Sequence, residues 1–483
     1  MALRDLSLEE IINQLDSGRT WQGNTISYTF PTSPWANMNE SAGFSALTGN
    51  QASIARQALQ SWDELIAPDL VETGGSGANA DITVANTTTG IGYAHAYLPG
   101  GGPVSGSVWL NPQYNRGTSD LVNPDITDYG YLTYMHEVGH ALGLEHMGEY
   151  NGGNPTYEND AFGIQDTQQY SIMSYFSPQQ AGTADWVGGD GRLYFAQTPM
   201  VSDIAAIQRM YGADMKTRAG NTTYGFNSNV SSQVYNFAQN GHPVLSIWDG
   251  GGIDTLDVSG FSSSSVVDLR EGQYSSVNNM TKNIGIAYDA EIENARTGNG
   301  ADTVIGNALN NEVMSGVGND SLNGLGGDDE LRGEIGHDSM RGGSGDDLLI
   351  GGSGRDTLEG GSGNDRLYGG NDDDTLLGGA GNDLLKGGNG DDRLSGGTGD
   401  DELVGGNGSD VFVILQGNGD DIVSDFQIDL DDIDLSDTDF DSFDDLDISD
   451  NNGNAVLDLG DGNSVTLIDV NAADLSTDDF LFS

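Results

Sequence analysis

No cysteine occurs among the 483 residues. Disulfides and thiolate-bound metal are therefore excluded, although export from the cell is not. Cations are also scarce: Lys plus Arg number 17 against 74 Asp plus Glu, a formal charge of −57. A surface of that sign repels phosphate backbones and anionic bilayers, which argues against nucleic-acid partners. No apolar run approaches the length that spans a bilayer, so no stable membrane anchor is expected. Nor does the N-terminus show a basic region followed by an apolar stretch, so a cleaved signal peptide is not expected. Excess acid on this scale has two readings, a solvated tail or a store of hard-cation ligands.

Against that background stands the string His136-Glu-Val-Gly-His-Ala-Leu-Gly-Leu-Glu-His146. His136 and His140 are four apart, so on a helix both imidazoles project from one face and can share a metal. Gly143 lets the helix stop and the chain turn sharply, which brings His146 to the same ion. Three neutral nitrogens with a fourth position open describe a catalytic zinc site. Glu137, beside the first ligand, is placed to take a proton from the water that such a site activates. The bland alternative is a helix with surface histidines. Against it, Tyr131, Leu132, Met135, Val138, Leu142 and Leu144 give this segment apolar faces for burial.

Around the motif, Ser7 and Glu10 form a capping-box pattern ahead of Leu8, Ile11, Ile12 and Leu15, predicting a short amphipathic helix that ends near Gly18. A second helix is expected over Gln51–Ile66, and a last one over Ser202–Tyr211 that stops at Gly212. Strand-like text lies between them: Ile82 and Val84, then Ile91 to Leu98, then Val108-Trp-Leu110. The expected organisation is an N-terminal helical segment over 1–18, which could belong to a pro-segment, and a mixed α/β catalytic domain over 19–220. A β-rich connection over 221–296 follows.

From Thr297 to Val413 the chain repeats every nine residues, thirteen times, as in Gly342-Gly-Ser-Gly-Asp-Asp-Leu-Leu-Ile350. The sixth position is Asp302, Asp320, Asp329, Asp338, Asp347, Asp356, Asp365, Asp374, Asp383, Asp392, Asp401 or Asp410, with Asn311 the exception. The eighth is apolar throughout, from Val304 to Phe412. A flexible linker has no reason to keep an apolar residue at that spacing. This nonapeptide is the one that general principles already associate with calcium-binding parallel β-helices of the RTX type. Carbonyl and carboxylate oxygens suit several calcium ions and suit zinc poorly. Residues 414–483 hold twenty Asp and no Glu, Lys or Arg. Their strand-like runs predict a β cap on the open end of the roll.

The chain resembles the serralysins, secreted bacterial zinc endopeptidases of the metzincin clan, over essentially its whole length. The zinc string carries part of that likeness. Tyr170-Ser-Ile-Met-Ser-Tyr-Phe176 is similar to the family's Met-turn, and Asp203-Ile-Ala-Ala-Ile-Gln208 and Ser246-Ile-Trp-Asp-Gly-Gly-Gly-Ile-Asp-Thr-Leu256 are similar to further family text. The resemblance implies a metzincin fold followed by an all-β parallel β-roll. It also implies that Met173 lies beneath the zinc. Tyr175 would be a zinc ligand at rest that swings away to stabilise the oxyanion. Also implied is release to the extracellular medium through a type I secretion channel reading an uncleaved C-terminal signal. Two departures stand out. Met147-Gly-Glu149 replaces the Pro-Gly-Asp of many relatives, and the repeat around Asn311 is degenerate.

The expected activity is hydrolysis of proteins or peptides by a monomer, with one zinc and several calcium ions. Glu137 would be the base and Tyr175 a partner of the developing negative charge. Tyr93, Ala94, His95, Ala96 and Tyr97 would bind extended substrate along a strand edge, although a lone histidine such as His95 is more often a pairing or solvent-facing residue. One rival reading is a calcium-dependent binding or surface-layer protein whose protease domain has lost function. Another is a metzincin hydrolase with a non-peptide substrate.

Overall fold

The computed structural model describes residues 3–35, 41–75, 79–114, 117–150, 155–415 and 419–483. The chain divides into two compact units, residues 1–254 with 271–292, and residues 255–270 with 293–483. The stretch 221–296 is thus shared between them.

The first unit is mixed α/β. Helix α1 (Leu8–Leu15) starts at Ser7, whose side chain accepts from the Glu10 amide while Glu10 caps back, and it buries Ile11, Ile12 and Leu15. Strand β1 (Thr25–Thr29) and helix α2 (Gly49–Asp63) follow, the latter opened by a Thr48–Gln51 capping box two residues ahead of the predicted start. Then come β2 (Asp69–Glu72), β3 (Ile82–Thr87), β4 (Ala94–Ala96) and β5 (Ser107–Leu110). The sheet order is β2-β1-β3-β5-β4, parallel except for β4, which lies antiparallel to β5 at one edge, and for the short strand Phe44–Ser45, which lies antiparallel to the end of β3. Only three residues of the Ile91–Leu98 run are strand, because cross-strand pairing there is confined to Ala94–Leu110, His95–Trp109 and Ala96–Val108. Helix α3 (Tyr129–Leu142) carries the zinc string and is almost wholly buried. Helix α4 (Val201–Tyr211) closes this part of the chain. Among the described residues no helix is long and apolar enough to cross a membrane.

The second unit is a parallel β-roll. Leu322 pairs with Met340, and Leu331 with Leu349. Repeats two apart are therefore in register while adjacent repeats feed opposite sheets, so two nonapeptides make one turn. Every eighth-position side chain from Val304 to Phe412 is buried between the sheets. Gly361 shows why the turns need glycine: its φ is +120°, and a Cβ would stand 2.2 Å from the Gly343 carbonyl oxygen one turn away. Parallel pairing extends past the repeats at both ends, Val267 lying opposite Val304 and Phe412 opposite Ile433. Ile433 in turn pairs with Phe480, so the acidic-then-apolar ending is a strand of the roll. The strand-like runs of the expected cap fall in Asn454–Gly460 and Asn463–Leu467, which form an antiparallel hairpin.

Candidate metal centre and cleft

Helix α3 ends because Gly143 takes a left-handed conformation, φ +115°. A Cβ at this position would lie 2.2 Å from the Arg19 carbonyl oxygen, so the sharp turn and the close approach both require glycine. The turn returns the chain so that His140 Nε2 and His146 Nε2 face each other at 3.1 Å. Together with His136 they are the one group of three His, Cys, Asp or Glu ligands among the described residues, their candidate atoms all within 4.8 Å.

Backbone carbonyls set the direction of two rings. His136 Nδ1 lies 2.7 Å from the Ile172 carbonyl oxygen, and His140 Nδ1 lies 2.7 Å from that of Leu144. A carbonyl accepts only, so the proton sits on Nδ1 and each Nε2 presents its lone pair to the centre. Burial lowers the pKa of all three histidines, that of His146 to about 3, so the rings are held neutral. A metal fits their spacing: two tetrahedral bonds of about 2.0 Å place their nitrogens about 3.3 Å apart. The donor set fits a borderline-soft divalent ion.

Glu137 is buried one residue along the helix, and desolvation pushes its carboxyl up to about 8. Tyr175 is 38% exposed, its ring edge-on to His146 at 4.6 Å between centroids. Met173 is fully buried beneath α3, its sulfur 3.0 Å from where a Gly139 Cβ would be. Tyr93 packs against Tyr129, and its hydroxyl donates to the Ser119 carbonyl oxygen. Ala94, His95 and Ala96 occupy the edge strand β4, while Tyr97 bonds back to Ser107. A cleft of about 870 Å³ is lined by Ala96, Tyr97 and Leu98 on one side and by His140, Glu145, His146 and Tyr150 on another. The cleft therefore joins the end of the edge strand to two of the three histidines.

Sequence reasoning did not single out the groups that hold this centre in place. Asp203, fully buried near the start of α4, accepts from Ser171 Oγ, from the Ile172 amide at 2.8 Å and from the Met200 amide at 2.9 Å. It thereby fixes the carbonyl that orients His136, although burial raises its own carboxyl to about 7. Tyr150 donates to Asp166 at 2.7 Å and accepts from the Tyr175 amide at 3.3 Å. A lone Asp in a first helical turn reads as an ordinary helix-start signal, so the sequence offered no mark of this second role.

The twelve repeat aspartates form two ladders. In each, a backbone amide donates to the carboxylate one turn on, as Asp329 does to Asp347 Oδ1 at 2.8 Å. The other oxygen, Oδ2, is buried without a hydrogen-bond partner in all twelve. Twelve aligned, buried acceptors without donors are groups that could hold cations.

Residues 213–483 match the family model described as Peptidase M10 serralysin C terminal. The chain belongs to the serralysin family. Among its relatives are metallopeptidase AprA of Pseudomonas marginalis, 38% identical over 64% of this chain and 66% of the relative, and serralysin A of Dickeya chrysanthemi, 38% identical over 62% and 64%. Metalloprotease AprA of Pseudomonas entomophila (strain L48) is 42% identical over 59% and 60%. The chain thus spans somewhat less than two thirds of the length of each of these relatives. The metzincin expectation for the first unit and the β-roll expectation for the second agree with this membership and with the strand pattern.

Proposed function

We propose that this serralysin is a secreted zinc endopeptidase acting on extracellular proteins. The observation that carries the reading is the convergence of His136, His140 and His146, two with their Nδ1 atoms engaged, where His140 and His146 line a cleft reached by an edge strand. Zinc held there would supply Lewis acidity toward a scissile carbonyl and toward water. Glu137, whose burial favours proton uptake, accepts the proton of the attacking water and passes it to the leaving amine. Tyr175, partly exposed beside His146, would be a further ligand to zinc and would donate to the developing oxyanion. Met173 gives an apolar floor. An extended substrate adds alongside β4 and its flanks, Tyr93 to Tyr97, at the edge of the sheet. The likeness to proteins named as metalloproteases favours a peptide substrate over the binding-protein and non-peptide alternatives. Casein hydrolysis abolished by a zinc chelator and restored by added zinc is the expected result. Undiminished hydrolysis in chelator, or none under any metal loading, rules the reading out.

The same proposal gives the roll several calcium ions bound by Asp302 to Asp410, supported by their twelve unpartnered Oδ2 atoms. Calcium binding then becomes folding energy outside the cell, where millimolar calcium is available. Inside, the roll stays unfolded and suits threading, as a monomer, through a type I export channel. Far-UV circular dichroism with and without calcium tests this step, and an unchanged β signal in excess chelator overturns it.

A further inference from the structure

The N-terminal segment grips the loop between the second and third histidines. The Ser17 amide donates to the Gly143 carbonyl oxygen at 3.2 Å, and the Glu145 amide donates to that of Leu15 at 2.7 Å. These two bonds flank Leu144, which sits opposite Asp16 in an antiparallel bridge. Leu144 is the residue whose carbonyl orients His140. Gln14 Nε2 reaches the His146 carbonyl oxygen at 3.4 Å. Just beyond, Trp21 Nε1 donates to the carbonyl oxygen of Ala141 at 2.9 Å, and the Tyr211 hydroxyl, held by the Trp21 amide, donates to that of Leu142 at 2.7 Å. The segment therefore also satisfies carbonyls that the end of a helix would otherwise leave unpaired.

We infer that residues 14–21 are a positioning element for the metal centre, fixing His140 and His146 through one loop, and that the helix before them is its anchor. The inference rests on the zinc reading of the site. A short loop after a helix terminus opens easily on its own, and two backbone bonds on either side of Leu144 remove that freedom before metal arrives. Leu15 is fully buried, so the grip is seated in the core and is more than a surface contact. Removal of residues 1–18, the stretch that could belong to a pro-segment, would then loosen the metal centre where ordinary maturation would activate an enzyme.

The test is zinc retention by the full chain in calcium, read as the rate of zinc loss to a chromophoric chelator. Supporting groups of this kind typically change metal affinity about 10- to 100-fold. Deletion of residues 1–18 is expected to speed zinc loss by that factor with the far-UV spectrum kept, and a peptide of residues 3–22 added in trans is expected to reverse it. Gln14→Ala, which removes one side-chain contact, is expected to speed loss a few-fold and decides the matter should the deletion not fold. Arg56→Gln breaks the Arg56–Glu72 ion pair between α2 and β2 without touching the N-terminal segment or the loop, and is expected to leave zinc loss unchanged. Wild-type retention in both the deletion and Gln14→Ala, or equal loss in Arg56→Gln, overturns the inference. A wild-type chain that takes up no zinc overturns the reading of the site itself.

Discussion

Asn311 Nδ2 donates to the carbonyl oxygen of Glu293 at 2.8 Å and to Asn307 Oδ1 at 3.0 Å, while its Oδ1 accepts from the Asn307 amide. Its side chain is saturated, in contrast to the twelve aspartates that share its place in the repeat. The amide group supplies donors of its own, where each of the others leaves a carboxylate oxygen unpartnered. Replacing it by Asp removes those donors and leaves a buried carboxylate oxygen without a partner. Asn311→Asp is therefore expected to raise the number of bound calcium ions by one in a calorimetric titration. An unchanged stoichiometry would show that something other than the amide keeps this turn free of metal.

Glu137→Gln is expected to keep zinc and the calcium-dependent β signal while losing roughly 10²- to 10⁴-fold in peptide hydrolysis, the usual size of general acid–base assistance. Turnover numbers at saturating substrate read this directly. Activity near wild type would remove Glu137 from the mechanism.

Gly139→Ala sets two effects against each other. Alanine in a helix interior gains about 1 kcal/mol over glycine. The new methyl would meet Met173 Sδ and the Trp62 ring at 3.0 Å each, and overpacking typically costs about 1–3 kcal/mol. Met173 can shift, but Trp62 is fully buried and donates from Nε1 to the Met135 carbonyl oxygen. Crowding should prevail. A lower melting temperature and displacement of Met173 in a crystal structure of the variant are expected; a raised melting temperature would refute the argument.

The roll without calcium should depend on pH in a definite direction. Burial, assisted by like-charged neighbours, raises the carboxyls of Asp329, Asp347, Asp383 and Asp392 to about 7 and that of Asp374 to about 8, from an ordinary value of 3.8. Folding then favours proton uptake. The stabilisation is fully present below about pH 4 and is lost as pH rises through 7 to 8. In chelator, the far-UV β signal of the roll is expected to grow as pH falls from 8 toward 5. A signal that shrinks over that interval would contradict the raised carboxyls.

The zinc string, the thirteen nonapeptides and the capping box at Ser7 could be read from the chain alone. Their meaning lies in local spacing: a helical period of 3.6 and a repeat of nine are properties of neighbouring residues. What Asp203, Tyr150, the Ile172 carbonyl and the strand-like contact of Leu15 to Ser17 with Gly143 to Glu145 do could not be read there. Each of these contacts joins residues far apart in the chain, and each depends on a backbone carbonyl or an amide that every residue possesses. Sequence therefore named the candidate metal ligands, and only the tertiary structure decided what aims them, because aiming is done by groups whose chemistry carries no letter of its own.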